Sequence, residues 1–255
     1  MNDYLLNVNT TINKDPRWKL LEDLYVKNYF DKKNQKNIDK IPKIIHQIWL
    51  GGEIPERYVK YREKMIQINP NWECKLWTDK DVESFGLKNK ILYNNIKNLG
   101  ARSDIFRYEI LERFGGLYVD VDFDFIKPFD DLCHLDFFAG NGHSNQPEVF
   151  NSIIASSPNY KMISLIVSEL QKKQTFNDNI DGVMNNTGPY FIAKMIFDNV
   201  NVDDNVVIFP TKFLFPFPAV YRHNVDDGEE SKRFIYSFLN DNSYCIHLWH
   251  TNWQK

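Results

Sequence analysis

The stretch GGLYVDVDFDFI, residues 115 to 126, constrains the fold more than any other part of the sequence. Apolar residues alternate in it with three aspartates, Asp120, Asp122 and Asp124. A repeat of two residues that is rich in Val, Phe and Tyr predicts a β-strand rather than a helix. On a strand the three carboxylates would project from one face, with about 6.5 Å between neighbours. Like charges at that spacing repel each other, so the pattern predicts a positive partner for them.

Four kinds of site could explain the acids, and the sequence disfavours three of them. A solvent-facing edge strand is a poor explanation, because Asp is among the weakest strand formers. A calcium-binding loop would need Gly at its sixth position and Glu at its twelfth, where this chain has Phe125 and Asp131. A phosphatase would need a hydroxyl residue soon after its nucleophilic acid, but Phe125 and Ile126 follow. A hard divalent cation that also binds a diphosphate fits best, since two carboxylates can share it.

The composition is that of a folded protein with no bias toward nucleic acid. Hydrophobic residues make up 43% of the 255 residues and aromatic residues 15%, which is ample for a core. The net charge of −3 gives no reason to expect a nucleic-acid partner. Three cysteines without CxxC spacing predict reduced thiols and a cytoplasmic protein. We recognise neither a signal peptide nor a membrane-spanning run, so we expect at most peripheral association with the inner membrane face.

Apolar segments of two kinds alternate along the chain. Short runs rich in β-branched and aromatic residues predict strands at 43–50, 72–78, 135–140, 206–210 and 244–249. Longer periodic segments predict helices at 17–30, 55–68, 160–173, 189–200 and, with Ser103 as its cap, 103–114. This alternation predicts one α/β domain over residues 41–255, with helices on both faces of the sheet. Residues 1–40 are expected to form a helical N-terminal appendage and a polar linker.

Three motifs in a fixed order resemble glycosyltransferase family 32. ARSDIFRYEILERFGGLYVDVDFDFIKPF resembles the DXD-containing sugar-binding region of that family and the corresponding part of the large glucosylating toxins. IPKIIHQIWLGG (41–52) resembles the first strand of the family, and HLWHTNW (247–253) resembles its C-terminal His-and-Trp element. The resemblance implies a GT-A fold with a mixed, mostly parallel sheet. It also implies a nucleotide-sugar donor, Mn²⁺ or Mg²⁺ as cofactor, and retention of anomeric configuration.

The resemblance implies a metal site at the acids. Asp122 would ligate the metal directly, and Asp120 would contact both the ribose and the metal. His247 would meet the metal or the diphosphate, while His250 is a further candidate that the pattern does not require. A metal that bridges the diphosphate would act as a Lewis acid and stabilise the charge that develops on the leaving group. The role of Asp124, as support for the metal pair or as an acceptor contact, stays open.

The resemblance also implies the donor contacts. Asp104 and Arg107 would hold the sugar hydroxyls, and Ser103 belongs to the same segment. Read from spacing alone, the i and i+3 pair is an ordinary intrahelical ion pair. Tyr118 would lie against the nucleotide, and Trp49 would stack on the base.

Two more donor contacts are expected outside these segments. Asn186 precedes a predicted helix whose N-terminal amides suit anions or hydroxyls. Trp253 would close over the diphosphate, although Asn252 stands before it where many relatives have serine. His46, within the apolar run of the first strand, is expected to be a core histidine with satisfied hydrogen bonds.

These features together predict a retaining, metal-dependent transferase. It would move a hexose from a nucleoside-diphosphate sugar, UDP-sugar first, to a glycan acceptor, free or lipid-linked, such as a precursor of a capsular or surface polysaccharide. No nucleophilic carboxylate is identifiable, so front-side displacement fits better than double displacement. Three alternatives stay open: a protein-modifying transferase of the toxin or effector type, a non-catalytic divalent-cation or carbohydrate-binding module, and a metal-dependent phosphatase.

Overall fold

The computed structural model describes residues 15–32, 38–144, 146–173, 175–226 and 228–250. Its main feature is a six-stranded sheet with the order β2-β1-β3-β6-β5-β7. The strands are β1 (Ile44–Ile48), β2 (Glu73–Trp77), β3 (Gly116–Val119), β5 (Phe137–Gly140), β6 (Phe150–Ser156) and β7 (Val206–Phe209). Within this sheet β6 pairs antiparallel with both of its neighbours, while the other pairings are parallel. The predicted mixed, mostly parallel sheet is therefore confirmed.

Helices pack around this sheet, and the longest of them is α5 (Leu99–Phe114). The others are α1 (Pro16–Tyr25), α2 (Glu56–Ile68), α3 (Asp79–Phe85), α4 (Lys90–Asn95), α6 (Lys161–Gln171), α7 (Ile180–Asn186), α8 (Pro189–Asn199), α9 (Thr211–Leu214) and α10 (Glu229–Tyr236). In the described part of the chain, we find no helix with the length and apolar character that crossing a bilayer requires.

The N-terminal helix is fixed to the edge of the sheet. After α1 a π-helical turn spans Val26–Phe30, and Tyr25 and Tyr29 pack edge-on against Phe209 of β7. The Asn28 amide donates hydrogen bonds to the carbonyls of Asp204 and Val206 at 2.9 and 3.1 Å. Residues 16–30 thus share the core of the main fold. Of the rest of the predicted appendage, residues 1–14 and 33–37 lie outside the described residues.

The acidic stretch 115–126 is not the single strand that its alternation predicts. β3 ends at Val119, residues 120–122 form a turn, and β4 (Phe123–Phe125) belongs to a second sheet with β8 (Cys245–His247). The Asp120 amide still donates to the Ser152 carbonyl beside β3, at 2.8 Å. Two residues later, the Asp122 carbonyl already accepts from the Leu248 amide, at 3.0 Å. The two-residue period continues across the turn because both sides are strands, so it cannot reveal the change of partner. We call residues 120–122 the DXD turn.

One helix and one strand also differ from the sequence predictions. α5 begins at Leu99, where the Asn98 side chain accepts a hydrogen bond from the Ala101 amide, so Ser103 lies inside the helix rather than capping it. β6 was not predicted, because Asn151 and Ser152 interrupt the apolar pattern of its sequence FNSIIAS and the strand follows a polar segment. This strand is the centre of the antiparallel part of the sheet, and it forms a wall of the site described below.

His46 is the core histidine that the sequence predicts. It is 1% exposed on β1. Its Nε2 lies 3.0 Å from the Gly115 carbonyl oxygen, and its Nδ1 accepts a hydrogen bond from Trp77 Nε1 at 3.1 Å. Gly116 starts β3 beside it with φ of 90°, and a Cβ there would lie 2.5 Å from the Ile44 carbonyl oxygen. Close packing of β1 and β3 therefore requires this glycine.

Candidate active site

A cavity of about 350 Å³ opens at the carboxyl ends of β1 and β3. Its walls come from the chain just after β1, from the first turns of α5, from the DXD turn and from β6. Ligands of open α/β sheets bind at this end of the strands. We call it the DXD cavity. The predicted site residues that line it are Trp49, Ser103, Asp104, Arg107, Tyr118, Asp120, Asp122 and His250.

Asp120, Asp122 and His247 come together at one side of the DXD cavity. Each offers a ligand atom, and these atoms lie within 4.8 Å of one another. His247 Nε2 is 3.3 Å from Asp122 Oδ1. The histidine is positioned by β8, whose register pairs it with Phe123, and the two rings stack with centroids 4.4 Å apart. The small second sheet therefore fixes the third member of the group.

The residues present fit a divalent metal ion. His247 Nδ1 is buried and has no hydrogen-bond partner among the described residues, and a buried polar atom without a partner is costly. Two carboxylates and one imidazole form a donor set that suits Mn²⁺, and the carboxylates also suit Mg²⁺. Asp120 is 31% exposed at its side chain and Asp122 only 7%, so the first faces the cavity more openly.

The two acids of the turn have different charge environments. Burial raises the pKa of Asp120, and the nearby charge of Asp122 acts in the same direction, against Arg107. Burial also acts to raise the pKa of Asp122, but His247 and the His250 amide outweigh it and hold that pKa below its ordinary value. The His250 amide donates to Asp122 Oδ2 at 2.7 Å. Asp122 is thus held as an anion by the chain itself.

Arg107 connects the helix to the DXD turn. Its Nη2 lies 3.1 Å from Asp104 Oδ1 and 3.4 Å from Asp120 Oδ1, and its Nη1 donates to the Asn151 carbonyl. The guanidinium carbon is 4.3 Å from the centre of the Tyr118 ring, and the Tyr118 hydroxyl donates to Asp120 at 2.6 Å. Asp104 and Arg107 therefore form the i and i+3 ion pair that their spacing predicts. It is also buried and aimed at the site.

Asp104 belongs to a buried hydrogen-bond network that the sequence did not reveal. Its two carboxylate oxygens accept from the Asn151 amide at 2.8 Å and from the Thr187 hydroxyl at 2.9 Å. The Tyr108 hydroxyl donates to the Thr187 carbonyl at 2.7 Å and accepts from the Asn151 amide at 3.1 Å. Burial raises the pKa of Asp104 to about 6. Asn151 escaped detection because its strand did, and a lone Asn gives no motif.

Aromatic residues form another part of the DXD cavity lining. Trp49 follows β1, and its amide donates to the Trp77 carbonyl at 2.9 Å. The Trp49 ring lies 5.4 Å from that of Tyr58, and the His250 ring lies 5.7 Å from Tyr58 on another side. These rings offer flat surfaces to a ligand. Ser103 lines the cavity within α5, and its hydroxyl is 3.5 Å from Arg107 Nη2.

One predicted donor contact, Asn186, is not brought to this cavity, and the position of another, Trp253, is not described. Asn186 is not among its lining residues, because its side chain donates to the Gly182 carbonyl at 2.9 Å and accepts from Lys173 at 3.0 Å. Its neighbour Thr187 bonds to Asp104 instead. Trp253, with Asn252, lies outside the described residues. Contacts of Asn186 and Trp253 with a donor therefore stay predictions.

The third acid of the stretch has its own positive partner. Lys64 of α2 lies 2.5 Å from Asp124 Oδ1, and the Tyr236 hydroxyl of α10 donates to Asp124 Oδ2. Asp124 is buried and is not in the group with Asp120, Asp122 and His247. The repulsion inferred from the sequence is thus relieved in two places, by Lys64 here and by Arg107 at the DXD turn.

Comparison with known proteins agrees with this geometry. A family model described as the glycosyltransferase sugar-binding region containing the DXD motif matches residues 55–138. A protein of Acanthamoeba polyphaga mimivirus, named as an uncharacterized glycosyltransferase, is 30% identical over 188 residues, which are 69% of this chain and 73% of that protein. The inositol phosphoceramide mannosyltransferase 3 of Schizosaccharomyces pombe is 30% identical over 159 residues, 60% of this chain and 44% of that protein.

Two further likenesses extend the comparison. A mannosyl phosphorylinositol ceramide synthase of Saccharomyces cerevisiae is also 30% identical, over 60% of this chain and 42% of its own. The chain thus spans less than half the length of these two yeast proteins. The solved structure of the PaToxG glycosyltransferase superposes with a TM-score of 0.53, covering 73% of this chain and 81% of that chain. At 19% sequence identity this likeness is one of fold.

Proposed function

The chain belongs to the glycosyltransferases whose sugar-binding region contains a DXD motif, with a GT-A fold, and we propose that it transfers a hexose from a nucleoside-diphosphate sugar to a glycan acceptor. The observation that carries the proposal is the cluster of Asp120, Asp122 and His247 within 4.8 Å, beside the buried Arg107. Such a cluster at one side of a cavity suits a ligand that brings both a metal ion and negative charge.

Asp120, Asp122 and His247 would hold the divalent ion, Mn²⁺ or Mg²⁺. When bound, the ion supplies Lewis-acid stabilisation for a departing diphosphate. The chain's own contribution is to keep these ligands in place before the donor arrives. Asp122 is held by two backbone amides, from Leu248 to its carbonyl and from His250 to its carboxylate. This preorganisation lowers the cost of assembling the site.

Asp104 and Arg107 would bind the transferred sugar. Each carboxylate oxygen has about two acceptor positions, so Asp104 can still accept a hydrogen bond from a sugar hydroxyl while bonded to Asn151 and Thr187. Arg107 keeps the orientation of both Asp104 and Asp120 through its forked donors. Trp49, near Tyr58, would stack on the base of the nucleotide, and Tyr118 would hold Asp120 through the hydrogen bond from its hydroxyl.

Retention by front-side displacement fits the residues of the DXD cavity. The carboxylates among its described lining residues are Asp104, Asp120 and Asp122, and each is engaged in bonds within the protein. A spare nucleophile beneath the sugar is therefore lacking among them. In the proposed step the bond from the sugar to the diphosphate breaks, and the acceptor oxygen bonds to the same face. The acceptor proton passes to the departing phosphate oxygen.

The identity of donor and acceptor is the least defined part of the proposal. We keep UDP-sugars as first candidates. One yeast relative is named as a mannosyltransferase and the other as a mannosyl phosphorylinositol ceramide synthase, so a mannose nucleotide is tested beside the UDP-sugars. Both names also refer to ceramide, which supports testing lipid-linked glycans. A role in surface-polysaccharide synthesis at the inner membrane face belongs to the same proposal.

Calorimetric titration of UDP and GDP, with and without Mn²⁺, tests the proposal. We expect Mn²⁺ to strengthen binding of one nucleotide to the wild-type protein and Asp122→Asn to lose that effect. Asp203→Asn is the matched control, because its side chain is 92% exposed and remote in sequence from the site. Mass spectrometry of nucleotide sugars incubated with the protein then identifies the donor by its slow hydrolysis. Nucleotide binding that ignores both Mn²⁺ and Asp122→Asn would contradict the proposal.

A further inference from the structure

A second cavity, of about 450 Å³, shares Pro189 with the DXD cavity. One wall of it is a stripe of α8 that consists of Pro189, Tyr190, Ala193, Lys194, Phe197 and Asp198. These positions recur every three to four residues, so they lie on one face of the helix. The opposite wall is the chain between 146 and 150. We call this cavity the α8 groove.

The α8 groove leads away from the DXD cavity. α8 begins at Pro189, and a rise of about 1.5 Å per residue puts Asp198 about 13 Å farther along. Arg17 of α1 lies at this far end, with its guanidinium carbon 5.0 Å from the centre of the Phe197 ring. The two cavities also share a strand, because Asn151 lines the first and its neighbour Phe150 lines the second. Because successive residues of a strand face opposite sides, these two side chains line different cavities.

The lining of the α8 groove combines exposed aromatic surface with polar groups. Tyr190 is 54% exposed although it is a large hydrophobic residue, and Phe197 is only partly buried. Gln146 and Glu148 provide an amide and a carboxylate on the opposite wall. Aromatic faces suit the C–H faces of sugar rings, while amides and carboxylates suit their hydroxyls. This is the lining that a saccharide requires.

The charges of the groove select against other ligands. The lining contains two cations, Arg17 and Lys194, and two anions, Glu148 and Asp198, so its formal net charge is zero. Arg17 is also paired with Asp15 beside the groove. Lys194 and Asp198 pair with each other along the helix. A phosphate or nucleotide would find no excess of positive charge here. A lipid tail would bury the carboxylate of Glu148 and the side-chain amide of the same wall against hydrocarbon, which is costly.

We propose that the α8 groove binds the saccharide acceptor as a neutral glycan. One sugar ring stacks on Tyr190, the polar groups of the 146–150 wall bond to its hydroxyls, and the reacting end points past Pro189 into the DXD cavity. The inference rests on the proposed function and adds to it the acceptor class and the acceptor's location. The shared Pro189 explains how two separate cavities serve one reaction.

Two substitutions of different kinds test the groove. Tyr190→Ala removes the stacking surface, and Ala193→Trp fills the groove without removing any polar contact. Tyr190→Phe keeps the ring, and Tyr221→Ala is the matched control, since Tyr221 is 38% exposed and lines neither cavity. Thermal unfolding of each variant verifies that it is folded.

Labelled proteins are applied to an array of neutral and anionic glycans, and hydrolysis of the donor sugar is measured separately. We expect the wild-type protein, Tyr190→Phe and Tyr221→Ala to retain the same neutral glycans. Tyr190→Ala and Ala193→Trp should bind them about tenfold more weakly, as the loss of one aromatic stack predicts. Donor hydrolysis should stay near the wild-type rate in all four variants, because none of these residues lines the DXD cavity.

The outcomes separate the two proposals. The groove is excluded as the acceptor site if the wild-type protein retains no neutral glycan or retains only anionic glycans. It is also excluded if the wild-type protein binds neutral glycans no more tightly than Tyr190→Ala and Ala193→Trp do. A wild-type protein that hydrolyses no nucleotide sugar contradicts the proposed transferase reaction instead. If such a protein still loses glycan binding in both groove variants, the saccharide site itself is supported.

Discussion

Acidification should destabilise this protein through a single buried histidine, His46. Both ring nitrogens are used in the fold: Nδ1 accepts from Trp77 at 3.1 Å, and Nε2 lies 3.0 Å from the Gly115 carbonyl oxygen. The ring is therefore neutral and carries its proton on Nε2. A second proton on Nδ1 would face the N–H of Trp77 and have no acceptor.

The size of the effect follows from the pKa. Burial lowers the pKa of His46 from 6.5 to about 4, although its bond to Gly115 acts in the opposite direction. The unfolded chain then binds the proton more tightly than the folded one, so stability is complete above pH 6.5 and declines as the pH falls toward 4. Each pH unit in that interval costs about 1.4 kcal/mol. The total is about 3 kcal/mol, a large part of the stability of an ordinary domain.

Urea unfolding of the wild-type protein and of His46→Phe, followed by tryptophan fluorescence, isolates this contribution. The variant should be less stable at neutral pH by about 1–3 kcal/mol, because Trp77 and Gly115 lose a buried partner. Between about pH 7 and pH 5 the gap between the two proteins should narrow by about 2 kcal/mol. Other groups titrate equally in both. Asp104, whose raised pKa of about 6 gives stability that is lost as the pH rises through that value, is one of them.

A constant gap between wild-type and His46→Phe over this pH range would refute the reasoning. It would mean that the folded protein accepts the second proton without penalty. The tautomer deduced from Trp77 and Gly115 would then be wrong.

Three other substitutions test separate parts of the site. Asp124→Asn should lower the free energy of unfolding, measured in urea, by about 2 kcal/mol, because Lys64 loses its charged partner. The loss is moderate because the Lys64 side chain is 38% exposed and water can solvate it. The variant's Mn²⁺ affinity by calorimetry should match the wild type, and a loss of metal binding would place Asp124 in the metal site after all. Arg107→Lys should lower kcat/KM for donor hydrolysis about a hundredfold, because Lys has no fork to hold Asp104 and Asp120 together; activity near the wild-type level would show that the fork is dispensable. Asn151→Ala should lower the same quantity about tenfold by releasing Asp104, and an unchanged value would make the network in which it lies purely structural.

The fold was predictable where local pattern and tertiary environment agree. Helices such as α2, α6 and α8, and strands such as β1 and β7, lie within the predicted segments because burial on one face imposes the period directly. The acidic stretch shows the limit of that rule. Its period of two is real, but the DXD turn redirects the chain from the partner β6 to the partner β8. A change of hydrogen-bond partner leaves no mark in the alternation.

The site was predictable where it is contiguous in sequence. Asp104, Arg107 and the DXD acids come from neighbouring segments, and they do meet at one cavity. Asn151 and Thr187 could not be anticipated as partners of Asp104, because only the pairing of β6 with β3 and the packing of α7 and α8 bring them there. Their bonds satisfy a buried carboxylate, which is a requirement of tertiary structure with no local signature.

The pairing of β4 with β8 also has a consequence for synthesis of the chain. Next to this pairing, the His250 amide bonds to Asp122, and these two residues are 128 positions apart in the sequence. At a translation rate of about 5–20 residues per second, Asp120 and Asp122 leave the ribosome roughly 6 to 26 seconds before β8 can dock. Throughout that interval the nascent chain lacks His247 and the backbone amides that complete the group of Asp120, Asp122 and His247. Under the proposed function, the chain would therefore be unable to use a nucleotide sugar before its own folding is finished.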